Sequence, residues 1–245
     1  SVELNGLQYI MGGLDGSNNL NTVEIYDPAT NLWSAGTNVP QASRQANAIS
    51  LNGKIFLVGG YTTTNIADVR EYDPAQNTWT AKASLSTARH GHKLVLHENK
   101  VWAIGGRNGT SHLNSVEIYD PATDSWTSGP TLNTPRFWPV AWVANGSIYV
   151  GGGRASSSSY LDTIESYNPI TNSWEVAGNL PVNSYAGDVG VIGNQVYLAV
   201  GSTSSGVYSD KLYVSDLSPI QAVASNGNSN PNTILIKQDG TFWGM

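Results

Sequence analysis

Length, composition and charge limit what this chain can be. It has 245 residues, of which 40% are apolar, with 26 glycines and 11 prolines, enough for a substantial packed core. Acidic residues outnumber basic ones by 18 to 12, for a formal net charge of -6, so the basic surface that binds nucleic acid is missing. No apolar run reaches the roughly 18 residues of a membrane-spanning helix. We therefore expect no nucleic-acid partner and no membrane span.

The chain has no cysteine, which excludes disulfides, thiolate metal ligands and a cysteine nucleophile. Its four histidines are His90, His92, His97 and His112, and no nearby carboxylate completes a usual metal-binding set with them. No phosphate loop, nucleophile elbow or zinc-protease motif is present. We therefore expect no metal, no cofactor and no catalytic residue.

A four-part pattern recurs through the chain at intervals of 46 to 48 residues. Each copy has a pair of glycines, then a tyrosine, then an Asp-Pro or Asn-Pro step, and finally a tryptophan. The glycine pairs are Gly12-Gly13, Gly59-Gly60, Gly105-Gly106 and Gly152-Gly153, and the tryptophans are Trp33, Trp79, Trp126 and Trp174. A period of this length indicates one small supersecondary unit copied in series, in which each copy buries its apolar face against a neighbour.

The second copy shows how each unit is expected to fold. Asn52-Gly53 predicts a tight hairpin turn, and the apolar run 54–58 after it predicts a buried strand. Residues 69–72 and 78–80, joined by a turn at Asp73-Pro74, predict a third and a fourth strand. Each copy should therefore form one antiparallel sheet of four strands.

The tyrosine and the tryptophan of each copy, seven residues apart across the turn, are expected to pack between neighbouring sheets. Sheets stacked face to face around an axis form a β-propeller. These residues resemble the kelch repeat family, whose pattern is a double glycine, a spaced tyrosine and a spaced tryptophan. The resemblance covers residues 1 to about 217. It implies a propeller of four-stranded blades that is used mostly for binding and occasionally for catalysis.

We therefore expect a single all-β domain over residues 1–245, folded as a kelch-type β-propeller of four-stranded antiparallel blades. The five repeats are expected at about 1–40, 41–85, 86–132, 133–181 and 182–222, with a C-terminal hairpin at 233–244.

The fifth copy departs from the pattern, which leaves the closure of the ring open. Gly201-Ser202 replaces the glycine pair, Ser215 replaces the tyrosine and Ala222 replaces the tryptophan. The stretch 233–244 resembles the repeats of regulators of chromosome condensation, another propeller class, and could supply the inner strands of a further blade. Six blade positions with an incomplete last one are favoured over five. The incomplete seam is compatible with a homo-oligomer or with a larger parent protein.

The candidate site consists of residues that vary between copies. In a propeller, the start of each first strand and the loop after each glycine pair open on the same face. The ligand-binding residues expected there are Arg44, Gln45, Arg89, His90, Arg107, Arg136, Phe137, Trp138, Arg154 and Tyr185.

These residues allow two interpretations. We assign Arg44, Arg89 and Arg136 to equivalent places, where each could bind backbone carbonyls as a structural feature of the repeat, or could join other arginines to bind a carboxylate, a sulfate or an acidic peptide. Trp138 could likewise stack on a sugar ring or a peptide aromatic side chain, or could fill a wide space between blades together with Trp142.

The leading hypothesis is a noncatalytic recognition module for a protein or glycan ligand, which could be anionic. Loops rich in Asn, Ser, Thr and Gly favour an extracellular or cell-surface location. Two alternatives stay open. One is an enzyme acting on acidic sugars, similar to the kelch-type sialic acid mutarotases, with His90 as the proton shuttle. The other is a structural subunit of a larger surface assembly.

Overall fold

The structure is a computed structural model and describes residues 1–217. All regular elements assigned in this range are β-strands, and none of the described residues forms a helix that could cross a membrane. The C-terminal hairpin expected at 233–244, on which a sixth blade position depends, lies outside the described residues, as does Ala222. The described residues form two compact units: residues 1–111 with 117–129, and residues 112–116 with 130–217.

The first unit contains three antiparallel sheets, each of four strands that follow one another along the chain. The first sheet comprises β1 (Val2–Leu4), β2 (Leu7–Leu14), β3 (Asn19–Asp27) and β4 (Leu32–Gly36). The second comprises β5 (Asn47–Leu51), β6 (Lys54–Val58), β7 (Val69–Asp73) and β8 (Thr78–Lys82). The third comprises β9 (Lys93–His97), β10 (Lys100–Ile104), β13 (Val116–Asp120) and β14 (Ser125–Ser128). Between β10 and β13 the chain forms a separate two-stranded ribbon of β11 (Arg107–Asn108) and β12 (Ser111–His112).

The second unit contains a four-stranded sheet and a three-stranded sheet. The fourth sheet comprises β15 (Val140–Ala144), β16 (Ser147–Gly151), β17 (Thr163–Asn168) and β18 (Ser173–Asn179). The fifth comprises β19 (Asp188–Ile192), β20 (Gln195–Ala199) and β23 (Leu212–Asp216). Between β20 and β23 the chain forms a separate two-stranded ribbon of β21 (Ser202–Ser204) and β22 (Val207–Tyr208). Within residues 1–217 this fifth sheet has no fourth strand, and it exposes Leu212 and Val214. A partner at this seam stays a prediction.

The hairpin turns form where the sequence predicts them. Asn52 and Gly53 both have positive φ angles, 52° and 73°, and they join Leu51 to Lys54 as directly paired residues. Positive φ at both central positions gives the turn that matches the twist of the two strands. The third sheet uses the same conformation at Glu98 and Asn99, with φ of 50° and 57°, although no glycine stands there.

Three of the recurring tryptophans bond to the backbone just after the fourth strand of the preceding copy. Trp79 Nε1 donates a hydrogen bond of 2.8 Å to the carbonyl oxygen of Thr37, and the Thr37 N–H donates to Asn77 Oδ1 at 2.7 Å. The hydroxyl of Tyr72 donates to the same Asn77 oxygen at 2.6 Å. The same indole bond joins Trp126 to Ala83 and Trp174 to Pro130. The packing role expected for the tryptophans is confirmed for these three rings, to which the structure adds an orienting hydrogen bond. It is wrong for Trp33 of the first copy, which is 56% exposed.

The glycine pairs make a second link between consecutive copies, which we call the glycine clamp. Gly59 has a φ of 62°, and a Cβ at this position would lie 2.5 Å from the carbonyl oxygen of Arg89. Gly60 donates its N–H to that same oxygen at 2.8 Å. The same contacts join Gly12 and Gly13 to Ser43, and Gly152 and Gly153 to Ser184. Glycine is required at the first position because any side chain would displace this carbonyl.

Trp142 compensates for the tyrosine that the fifth copy lacks. In the first unit, Phe56 packs against Tyr119 of the following sheet with ring centroids 5.6 Å apart. At the corresponding place in the second unit, Tyr149 and Ser215 line the same small cavity, and Tyr149 instead stacks on Trp142 at 5.4 Å. Trp142 is only 8% exposed and belongs to the core of this unit. Trp142 therefore fills core space in this unit, whereas the filling role that the sequence left open for Trp138 stays a prediction.

The glycine clamp generates the first testable prediction. Gly53 and Gly59 both have positive φ, but a Cβ at Gly53 would meet nothing within 4 Å. We expect Gly53→Ala to lower the free energy of unfolding by about 1 kcal/mol, the cost of a left-handed backbone for an L-residue. Gly59→Ala should cost about 1–3 kcal/mol more, because the neighbouring backbone must move. Urea unfolding of both variants measures the difference, and equal losses would contradict the clamp.

Candidate functional site

The structure establishes which residues of the copies are equivalent. Four isolated antiparallel bridges, which we call the variable pairs, join the start of a first strand to the residue that follows the glycine pair. In the fifth copy that residue is Ser202, so Val200-Gly201, and not Gly201-Ser202 as expected, stands at the place of the glycine pair. The variable pairs are Arg44 with Tyr61, His90 with Arg107, Phe137 with Arg154, and Tyr185 with Ser202. Arg44 therefore corresponds to His90, and not to Arg89 or Arg136. The expectation that the three arginines are equivalent is wrong by one residue.

Arg89 and Arg136 are structural residues and cannot contact a ligand. Both side chains are 0% exposed. Arg89 Nη2 pairs with Glu117 Oε1 at 2.7 Å, and its Nη1 donates to the carbonyl of Gly105 at 2.9 Å. Arg136 repeats this arrangement with Glu165 at 2.9 Å and with the carbonyl of Gly152 at 2.7 Å. The ligand-binding role expected for these two arginines is corrected, because buried ion pairs and glycine carbonyls occupy their guanidinium groups.

The second and fifth copies lack both members of this ion pair. In the second copy, Ser43 stands at the place of Arg89 and Arg70 at the place of Glu117. In the fifth copy, Ser184 and Tyr213 take the same two places. Both members are absent together, which avoids leaving a charge buried without its counterion. Arg70 pairs instead with Asp68 at 2.7 Å near the surface.

Aromatic rings and one arginine form a concave surface in the second unit, which we call the aromatic pocket. The pocket has a volume of about 360 Å³ and is lined by Trp138, Arg154, Tyr160, Tyr185, Ser202 and Tyr208, among others. Trp138 lies 5.0 Å from Tyr185, centroid to centroid. The guanidinium of Arg154 lies over the rings of Tyr160 and Tyr185, at 5.3 and 4.8 Å from their centroids.

Phe137 supports the aromatic pocket from within the protein. Its ring stacks on that of Trp138 with centroids 4.7 Å apart, and its side chain is only 4% exposed. The ligand contact expected for Phe137 is therefore corrected to a supporting contact, because Trp138 and not Phe137 borders the concave surface.

Loop carbonyls hold Arg154 in its position. Its Nε donates to the carbonyl of Ser156 at 3.3 Å, and its Nη2 donates to that of Ser157 at 2.9 Å. The serine-rich loop 156–159 thus holds the arginine by its backbone. Because the guanidinium lies on two aromatic faces and bonds two neutral carbonyls, its positive charge is available to a ligand.

Trp138 adopts a backbone conformation that is unfavourable for its residue type. Its φ is 51°, and the equivalent residues Gln45, Gly91 and Ala186 have φ of 59°, 57° and 56°. A left-handed conformation costs an L-residue about 1–2 kcal/mol, and such strain tends to occur at functional sites. Because all four equivalent residues share this conformation, the fold itself imposes it. The fourth copy places a tryptophan at this position, whereas the third copy has a glycine.

A polar cluster lies in the first unit, and we call it the His90 cluster. The Arg44 guanidinium lies 5.0 Å from the centroid of the Tyr61 ring, and that ring contacts the imidazole of His90 at 5.2 Å. His90 Nδ1 lies 2.6 Å from Asn65 Oδ1. Burial, followed by the charges of Arg107 and Arg44, lowers the pKa of His90 to about 4. His90 is therefore neutral at neutral pH.

Gln45 accepts a hydrogen bond from the N–H of Gly91 through its backbone carbonyl, so its backbone has a structural role. Within residues 1–217 no group of three His, Asp or Glu side chains is placed to hold a metal ion. Sequence reasoning missed Asn65, Tyr160, Ser202 and Tyr208. Ser202 directly follows Gly201, the same place as Arg107 and Arg154, so its position was a usable signal.

Comparisons with known proteins agree with this repeat architecture. A family model described as "Kelch motif" matches residues 1–40, 42–86, 88–133 and 142–181. Kelch-like protein 35 of Homo sapiens is 42% identical over 55 residues, which is 22% of this chain and 9% of that protein. Kelch-like protein 40 of Xenopus tropicalis is 36% identical over 55 residues, again 22% of this chain and 9% of that protein. The matched segments thus span about a tenth of the length of these curated relatives.

A solved structure described as "Structure of YjhT" shares the fold. It superimposes with a TM-score of 0.76 at 17% sequence identity, over 86% of this chain and 79% of that one. The chain belongs to the kelch-repeat family, and its fold is an all-β kelch-type β-propeller of antiparallel sheets. Both expectations from the sequence are confirmed.

The buried ion pairs generate the second prediction. We expect Arg136→Met to lower the free energy of unfolding by about 3–5 kcal/mol, because Glu165 would keep a buried charge without a counterion. Arg154→Met provides the matched control, since its guanidinium is half-buried and pairs with no carboxylate in the described chain, and it should cost less than about 1 kcal/mol. Chemical denaturation measures both losses. Similar losses of unfolding free energy in the two variants would contradict the structural role of Arg136.

Strain at Trp138 generates the third prediction. Alanine normally stabilises a chain relative to glycine, but at a positive φ the order should reverse. We expect Trp138→Gly to be more stable than Trp138→Ala by about 1 kcal/mol. Thermal and urea unfolding of the two variants test this. A more stable Trp138→Ala would show that the site is not strained.

Gly190→Ala is the reference for the normal order of alanine and glycine. Gly190 lies in β19 without a positive φ, and a Cβ there would meet nothing within 4 Å. Alanine should therefore be at least as stable as glycine at this position.

Proposed function

We propose that this chain is a noncatalytic recognition module that binds a protein or glycan ligand in the aromatic pocket. The kelch propeller fold in general supports a binding or recognition module. The finer proposal rests on one observation: the strained Trp138, stacked on Phe137 and facing Tyr185, borders a concave surface beside the half-buried cation of Arg154.

The chemistry of the pocket supports this kind of ligand. Trp138 and Tyr185 offer flat apolar faces, on which the apolar side of a sugar ring or an aromatic side chain of a peptide can stack. Tyr160 and Tyr208 also line the pocket, and a tyrosine hydroxyl can both donate and accept a hydrogen bond. Arg154 favours a ligand that carries a carbonyl or an anionic group near the stacked ring. A pocket of about 360 Å³ has the size of a small-molecule site.

The alternative of an acidic-sugar enzyme loses part of its support. It relied on several arginines to hold a carboxylate, and Arg89 and Arg136 are closed off by their glutamates. The setting of the recognition module is proposed to be extracellular or at the cell surface, for which the polar, lysine-poor loops are the support.

Truncation of the pocket's central ring is the fourth prediction. Tyr185 contacts Phe137, Trp138, Tyr160 and Arg154. Screening of the purified chain on glycan and peptide arrays should identify a ligand. Tyr185→Ala should then weaken binding by about 30-fold in the dissociation constant, since loss of a central aromatic contact residue costs about 2 kcal/mol.

Trp33→Ala is the matched control for this experiment. Trp33 is a large aromatic side chain of the first sheet, 56% exposed, and does not line the aromatic pocket. Its removal should leave the affinity unchanged within about twofold. A ligand that binds Tyr185→Ala and the unmodified chain equally well would contradict the proposed site.

A further inference from the structure

The third sheet shows how a sheet of this chain holds the segment that reaches it from the preceding copy. We call this segment, residues 83–89, the incoming segment of the third sheet. The N–H of Ala83 donates to Asp124 Oδ1 at 3.0 Å, and the carbonyl of Ala83 accepts from Trp126 Nε1 at 2.8 Å. The hydroxyl of Tyr119 donates to the same Asp124 oxygen at 2.7 Å. One residue of the incoming segment is therefore bound through both of its backbone polar groups.

A glutamate of the same sheet holds the other end of the incoming segment. The carboxylate of Glu117 accepts from the N–H of Ser86 at 2.7 Å and from the N–H of Thr87 at 3.1 Å. It also pairs with Arg89 at 2.7 Å. Between these two anchor points, Leu85 is buried in the core of the unit. The sheet thus recognises an extended backbone, one apolar side chain and one arginine.

The fourth sheet repeats this arrangement with its own incoming segment, residues 130–136. Glu165 pairs with Arg136 and accepts from the N–H of Asn133 at 2.7 Å, and the tryptophan of this sheet donates to the first carbonyl of the segment. Both incoming segments contain the sequence Leu-x-Thr-x-Arg. In the second copy, where Arg70 replaces the glutamate, the incoming segment ends in serine. In these three sheets, the segment carries an arginine where the sheet carries a glutamate.

The first sheet has the same three groups on an exposed face. Asn31, Trp33 and Glu24 stand at the places of the aspartate, the tryptophan and the glutamate of the third sheet, and we call them the docking groups. All three side chains are exposed. Within residues 1–217, neither Trp33 Nε1 nor the carboxylate of Glu24 makes a hydrogen bond or an ion pair. The first sheet therefore has the means to hold an incoming segment.

The docking groups already have the geometry of a sheet that holds its segment. The hydroxyl of Tyr26 donates to Asn31 Oδ1 at 2.9 Å, and the ring centroids of Tyr26 and Trp33 lie 4.9 Å apart. In the second sheet, which holds its segment, the corresponding two distances are 2.6 and 4.9 Å. Asn31 has a φ of 56°, close to the 53° of Asn77 in the second sheet. Binding to a preformed site loses little free energy to reorganisation.

The surroundings of the docking groups favour an apolar and positively charged segment. Ile10 pairs with Glu24 across two strands of the first sheet and is 39% exposed, whereas its counterpart Leu57 in the second sheet is buried. Residues 1–43 contain no lysine or arginine and four acidic side chains, Glu3, Asp15, Glu24 and Asp27. Charge complementarity of this kind favours a partner that carries a cation.

We propose that this face of the first sheet binds an extended segment of a partner protein that contains Leu-x-Thr-x-Arg. One residue of that segment bonds to Asn31 and Trp33 through its backbone, the leucine packs beside Ile10, and the arginine pairs with Glu24. A second copy of this chain is not the partner, because its own two segments of this type are held by their sheets with the arginines completely buried. The surface lies in the first unit and does not depend on the proposed function above.

The fifth prediction uses a synthetic peptide with the sequence of residues 83–89, capped at both ends. It should bind the purified chain saturably and shift the indole N–H resonance of Trp33, assigned with Trp33→Phe, because this N–H gains an acceptor. A peptide with glutamine in place of the arginine should bind about tenfold more weakly, since it loses a charge-assisted pair of hydrogen bonds. NMR titration measures both affinities. No binding at peptide concentrations up to about 1 mM, or equal binding of the two peptides, would overturn the proposal.

Variants of the chain assign the peptide to the docking groups. Glu24→Arg should abolish binding of the arginine peptide and restore it for a peptide with glutamate at that position, because the ion pair forms again with its charges exchanged. Glu24→Gln should weaken binding of the arginine peptide about tenfold. Glu98→Gln, which alters an exposed glutamate in a turn of the same unit, and Tyr185→Ala, in the aromatic pocket, should leave it unchanged. Unchanged binding in both Glu24 variants would overturn the site.

The oligomeric state of the chain without peptide tests the choice of partner. Sedimentation at increasing protein concentration should show no dimer that Glu24→Arg dissociates. Such a dimer would assign this face to a second copy of the chain and would overturn the proposal of a separate partner protein.

Discussion

The glycine clamp is the constraint on which the rest of the structure depends. The carbonyl oxygen of Arg89 lies where a side chain of Gly59 would be, and Gly60 donates to it. The residue after this carbonyl is His90, the first member of a variable pair. The clamp thus fixes the backbone from which a variable side chain extends. Since the same contact recurs at Ser43 and at Ser184, Arg44 and Tyr185 are held in the same way.

This arrangement separates the residues that stabilise the fold from those free to acquire a function. The position before the first member of each variable pair is occupied by Arg89 or Arg136 where the copy supplies a glutamate, and by serine where it does not. The next position tolerates an arginine, a histidine, a phenylalanine or a tyrosine, because its bridge to the residue after the glycine pair uses only the backbone. Two neighbouring positions in the chain therefore differ in how strictly their side chains are constrained. The same backbone can present an aromatic surface in one unit and a cationic cluster in the other.

Much of the fold could be predicted because its determinants are local or periodic. Asn52-Gly53 forms the expected turn through its own backbone angles, and the recurring tryptophans made the stacked sheets predictable before any contact was known. The arginines were harder. Arg44 and Arg89 look alike in sequence, and a shift of one residue decides whether the side chain meets a buried glutamate or a tyrosine ring. The aromatic pocket was predictable only in part, since Trp138 and Tyr185 depart from their copies, but Tyr160 lies in a loop without a repeat position to mark it.

The sequence by itself determined the repeat, the strands and turns of each copy, and the family to which the chain belongs, because these depend on spacing, backbone preference and the alternation of apolar residues. Only the tertiary structure decided which charged groups are neutralised. An arginine forms a structural ion pair only if another strand brings a carboxylate within about 3 Å of its guanidinium, and otherwise its charge stays available. That distance is set by the packing of segments that are far apart in the sequence.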